Sequence, residues 1–227
     1  MEKTDTRQYE TTKEVNRFCQ ANRPDFEAAP TGPSLLTDLG GHVADMDRVF
    51  ADDQSGLGMV LEAEKVRGDR TATLTGSIDA IVAAARVAAL TSTGIDARFR
   101  KGPRSSARAR IAWARAFLKD VPPYLDALAA AGLSKQVVTD LPAQIDAVDK
   151  VLADKKAGLA KRADARTELE SLGHARTVTL RDLDTIARSV FRTNPDKLAA
   201  WKRARRVGPK EKPAQPAAST ATQVKAS

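Results

Sequence analysis

The chain has a single cysteine, Cys19, in its 227 residues, which excludes an intrachain disulfide and a cysteine-rich zinc site. Cys19 sits beside Phe18 in an apolar helical pattern, where a free thiol behaves as a small hydrophobe, and is read as core filler rather than a nucleophile. Histidine is nearly as scarce, with His42 and His174 alone, and no Glu-x-x-His pair of the ferritin-like metal bundles occurs. The phosphate loop Gly-x-x-x-x-Gly-Lys-Ser/Thr, the Gly-x-Gly-x-x-Gly fingerprint and the Gly-x-Ser-x-Gly elbow are missing too. No catalytic set, cofactor or metal is therefore expected. No window approaches the ~18 continuous apolar residues that a membrane span needs. The start, Met1-Glu2-Lys3-Thr4-Asp5, lacks the apolar stretch of a secretory signal, so the expected location is the cytoplasm. Aromatic residues make up only 4%.

What is present is helical patterning. Hydrophobic residues reach 42% and charged residues 29%, an ordinary balance for a packed core. Alanine and leucine fill the periodic positions, while Val and Ile stand singly among good helix formers. A first helix to about residue 21 carries Tyr9, Val15, Phe18 and Cys19 on one face, and Pro24 ends or bends it. A second helix from Ser34, with Leu35, Leu36, Leu39, Val43, Met46 and Val49, is expected to stop at Gly56 and Gly58. A third, over about 71–90, buries Leu74, Ile78, Ile81 and Val82. Ser105 or Ser106 caps a fourth, broken or kinked at Pro122-Pro123. The fifth and longest runs over about 135–172 on Leu141, Ile145, Val148, Val151 and Leu159, and is expected to end at Gly173. A sixth covers about 179–191, and Asn194-Pro195 opens a short last helix. The reading is an all-α bundle of about six or seven helices over 1–207. A basic tail over 208–227 has no apolar stripe and is expected to be disordered.

The charge is uneven. The chain carries +8 with a pI near 9.7. From Arg98 to Lys119 eight cations occur with no acidic residue between them, and a second cluster begins at Lys202. Together they carry +13, so the remainder is net acidic. At 100° per residue, Arg104, Arg108, Arg115 and Lys119 fall within about 60° of one another on the fourth helix. This basic stripe lies beside the apolar face of Ala107, Ile111, Ala114 and Leu118. Such a stripe tracks a phosphate backbone or pairs with acidic neighbours. Lys202, Arg203, Arg205 and Arg206 form the second candidate contact set.

Three smaller clusters admit a functional reading beside plain surface solvation. His42 shares a helix face with Asp38 and Asp45, a metal or acid–base pattern that more simply reads as a solvated face. His174 follows Glu170, with Gly173 between them. Lys65, Arg67 and Arg70 stand near the expected start of the third helix, where an anion would be favoured. Residues 180–206 give two helices joined at Asn194-Pro195, without the tight glycine turn of a helix-turn-helix.

The order of signals is a Phe-bearing first helix, an Ala-rich middle helix, a Gly132-Leu133-Ser134 junction, a long charged fifth helix and a Trp201-Lys202-Arg203-Ala204-Arg205-Arg206 ending. It resembles a loose group of uncharacterised bacterial all-α proteins. That resemblance implies a helical bundle and a bacterial source and carries no activity or site residues. The functional expectation is a non-catalytic helical interaction or scaffold protein with a protein partner. The alternative is a nucleic-acid-associated protein that meets the phosphate backbone through the basic helix and the C-terminal cluster.

Overall fold

The computed structural model describes residues 3–103 and 106–206. The predicted tail over 208–227, the candidate cap Ser105 and the candidate contact Arg104 lie outside the described residues. Among the described residues there are eight α-helices and no strand. In chain order they are α1 (Lys3–Ala21), α2 (Arg23–Glu27), α3 (Gly32–Ala88), α4 (Ile95–Arg98), α5 (Ala107–Asp120), α6 (Leu125–Ala130), α7 (Lys135–Val190) and α8 (Pro195–Ala204). None of them is long and apolar enough to cross a membrane.

Local chemistry sets several helix ends where the sequence places them. The Ser106 hydroxyl accepts from the Ala109 N–H at 3.2 Å and opens α5. Asn194 accepts from the Lys197 N–H at 3.0 Å, with Pro195 in the first turn, and opens α8. Pro122 and Pro123 lack the N–H groups that would continue α5, and the chain passes through a 3₁₀ turn, Pro122–Tyr124, into α6. Gly132 takes φ +94° after α6, the left-handed value that favours glycine. Its N–H donates to Ala129 O at 2.9 Å, and the Leu133 N–H donates to Leu128 O at 2.9 Å. This is a Schellman closure, and its two leucines are both buried in one core.

Two expected stops fail. The predicted second and third helices are one helix, α3, which passes through Gly56, Gly58, Gly68 and Gly76. The predicted fifth and sixth are also one helix, α7, which passes through Pro142 and Gly173. Glycine costs about 1 kcal/mol relative to alanine in a helix. Burying one large aliphatic side chain contributes about 1.5–3 kcal/mol, so a continuous buried stripe outweighs scattered glycines. Leu159, expected in the core, is 48% exposed instead. On α5 the buried residue of the last turns is Phe117 rather than Leu118, which is only partly covered.

The chain divides into two compact units, and α3 and α7 contribute residues to each. Among the described residues, unit 1 holds 3–50 and 166–206. Its core joins Val15, Cys19, Leu39 and Leu183 to an aromatic group of Phe18, Phe26, Phe191 and Trp201. Unit 2 spans residues 51–165 and packs Leu74, Ile78, Ile81, Phe99, Phe117 and Ile145 into a second core. Within unit 2, α3 and α7 approach through two glycines. A Cβ built on Gly158 would stand 2.7 Å from Gly56 O, and one on Gly56 would stand 2.8 Å from Gly158 O. Only glycine permits this backbone contact. Beside it the Asp53 carboxylate, 1% exposed, accepts from Arg162 Nε at 3.1 Å.

Candidate functional site

Burial of Ile111, Ala114 and Phe117 in the unit 2 core fixes the rotation of α5 and turns Arg108, Arg115 and Lys119 to solvent. Three of the four stripe residues thus share one exposed face. On that face a cleft of about 390 Å³ runs between α5 and α7. Ile111 and Leu152 lie in its wall, with Ala112 and Ala153 leaving room, and Arg108, Arg115 and Lys156 supply three cations. One acid answers them: Asp149, which is hydrogen-bonded to Arg115. Arg108, Lys119 and Lys156 are exposed and have no carboxylate partner among the described residues. The small side chains of Ala112 and Ala153 leave the floor of the cleft open between the cations. An exposed ion pair contributes about 0–1 kcal/mol, so Arg115 can exchange Asp149 for another anion at little cost.

Lys156 is absent from the sequence-based set. It belongs to a different helix, and only the packing of α7 on α5 brings it to the stripe. No local spacing signal would have found it.

The C-terminal cluster belongs to unit 1 and is partly committed to structure. Trp201 is buried among aromatic rings, and its indole N–H donates to Asp184 Oδ1 at 2.8 Å. Arg205 pairs with the same carboxylate, as does Arg188 at 2.9 Å. Burial alone would raise the Asp184 carboxyl, but the Trp201 hydrogen bond and the Arg205 and Arg188 guanidinium groups outweigh it and hold it below the usual aspartate range. Arg205 therefore anchors α8. Lys202, Arg203 and Arg206 are exposed and have no carboxylate partner among the described residues.

The smaller clusters resolve differently. Cys19 is fully buried and desolvation pushes its thiol up to about 12, the state of an inert core thiol. His42 Nε2 lies 3.1 Å from Thr179 Oγ1, and Asp45 stands near Arg48 at 3.8 Å. No group of three His, Cys, Asp or Glu side chains among the described residues is arranged to hold a metal ion. Arg67 pairs with Glu64 at 3.0 Å and Lys65 with Glu62 at 4.0 Å. These cations lie inside α3, so the expected helix start that would favour an anion there does not exist. Because α7 continues through Gly173, Glu170 and His174 stand one turn apart on an unbroken helix, not across a break.

Fold and site together define a class: an all-α protein whose one helix presents an incompletely neutralised basic face beside a narrow cleft. Comparison with known proteins adds no relative, since no family model, curated protein or solved structure matches the chain.

Proposed function

We propose that the chain is a non-catalytic helical binding protein that engages the phosphate backbone of nucleic acid through the exposed face of α5 and the adjoining turn of α7. The observation that carries this reading is the imbalance at the cleft: Arg108, Arg115 and Lys156 line it, and Asp149 is its one carboxylate. Lys119 extends the same face by one further turn. Contacts of this kind release counterions and carry no base sequence, so binding is weak, sequence-independent and salt-dependent. The α8 cations Lys202, Arg203 and Arg206 offer a second, separable contact. The test is fluorescence anisotropy of a labelled duplex at low salt with the parent and with an Arg108→Gln/Lys119→Gln/Lys156→Gln variant. Weaker binding by the variant with unchanged helical circular dichroism supports the reading, and no binding by the parent rejects it.

A second reading, a scaffold for a protein partner, has a different observation behind it. Leu61 is 61% exposed on α3, outside a neighbouring cleft that Met59, Val66 and Val151 line together with Glu62 and Asp154. Under that reading Leu61→Lys abolishes capture of the partner and leaves nucleic-acid binding untouched.

A further inference from the structure

Arg176 is 8% exposed, yet among the described residues no carboxylate pairs with it. Its Nη1 donates to Gln8 O at 3.0 Å and to Thr12 Oγ1 at 3.2 Å, and its Nε finds no acceptor. A guanidinium withdrawn from water without a counter-charge is costly, and structures resolve that cost by supplying an anion. Burial also draws the Arg176 pKa down from its ordinary value. Arg176 is one of the residues lining a cleft of about 480 Å³ in unit 1, formed by the start of α1 and the α7 stretch around Gly173. Arg166 and His174 stand in the same lining, both exposed and without a charged partner among the described residues. Gly173 keeps the wall open: a Cβ there would meet only Gln8 Oε1, at 3.9 Å.

We propose that this cleft binds a small oxyanion, a carboxylate or a phosphate, on the Arg176 guanidinium, with Arg166 and His174 as further donors. The planar fork of arginine matches two oxygens of either group. Asp5 and Glu170 also line the cleft, and their negative charge limits the occupant to a small, singly or doubly charged group and rejects a polyanion. The site is therefore distinct in chemistry, as well as in place, from the α5 face.

The experiment follows arginine Nε–H resonances by NMR while the full chain is titrated with sodium acetate or with inorganic phosphate at low chloride. A saturable shift of the Arg176 resonance at about millimolar concentration is expected with at least one of the two. The anion that saturates first identifies the head group. Arg166→Gln should weaken binding about tenfold, the worth of one charge-assisted hydrogen bond. Because Arg176 variants risk unfolding, the decisive variant is Gly173→Leu, which fills the cleft without touching a charge and favours the helix. It should abolish the shift while the helical signal stays intact. A parent that shows no saturable shift with either anion, or a Gly173→Leu variant that binds like the parent, overturns the proposal.

Discussion

Two carboxylates show how much the same chemical group is worth in different surroundings. Asp53 is almost fully buried against Arg162, while Glu64 meets Lys155 in a half-exposed pair. Removing one partner of a buried pair strands the other charge, so Asp53→Ala should cost about 3 kcal/mol in urea unfolding. Glu64→Gln should leave the midpoint almost unmoved, because water and salt screen that pair. Equal losses would mean that burial does not decide the matter. Asp184 gives a pH prediction. Its folded carboxyl lies below the ordinary aspartate value of about 3.9, so its contribution is fully present above that pH. It is lost as pH falls through the lower, folded value. In an acid series read by Trp201 fluorescence, the parent should be more stable than Asp184→Asn at neutral pH. That advantage should vanish below the ordinary aspartate range. An advantage that persists at the acid end would contradict the assigned role of the Trp201 and Arg205 contacts.

At the scale of the element, the glycines of α3 and α7 divide into two kinds. Gly158 faces the backbone of Gly56, and a Cβ there also comes within 3.0 Å of Met59 Cβ. Backbone atoms cannot move aside cheaply, so Gly158→Ala should destabilise by about 1–3 kcal/mol despite its better helix propensity. Gly76 has nothing within 4 Å of its added Cβ. Gly76→Ala should stabilise by about 0.5–1 kcal/mol. At this size about 1 kcal/mol shifts a melting temperature by roughly 2–4 °C, so the two melts should move in opposite directions. A Gly158→Ala protein that melts higher than the parent would deny the close approach. The same glycines explain where the sequence was legible. The apolar stripes through Leu39, Ile78, Ile145 and Leu183 are local periodic signals and lie in the cores. The expected breaks at Gly56 and Gly173 rested on propensity alone, and the packing that overrides propensity is not local. The Gly132 turn was readable because its hydrogen bonds close within a few residues. On α5 the rotation of Arg108, Arg115 and Lys119 followed from 100° spacing. Lys156 and the buried Arg176 did not, since each acquires its setting from a second helix.

For the whole molecule the governing quantity is a net charge of +8 that is not evenly spread. Part of the excess is spent on structure, as Arg115 with Asp149, Arg162 with Asp53 and Arg205 with Asp184 demonstrate. Another part, on α5 and at the end of α8, faces solvent with no carboxylate partner among the described residues. The proposed function assigns that second part to the binding of a polyanion. The most direct measurement is the salt dependence of duplex binding, taken by anisotropy between about 50 and 200 mM salt. Arg108, Lys119 and Lys156 as three phosphate contacts predict that the log–log slope of the parent is more negative than that of the triple glutamine variant by about 2.7. A companion Lys202→Gln/Arg203→Gln/Arg206→Gln variant should keep that difference. Equal slopes for the parent and the α5 variant, or no binding at the low-salt end, would contradict the account.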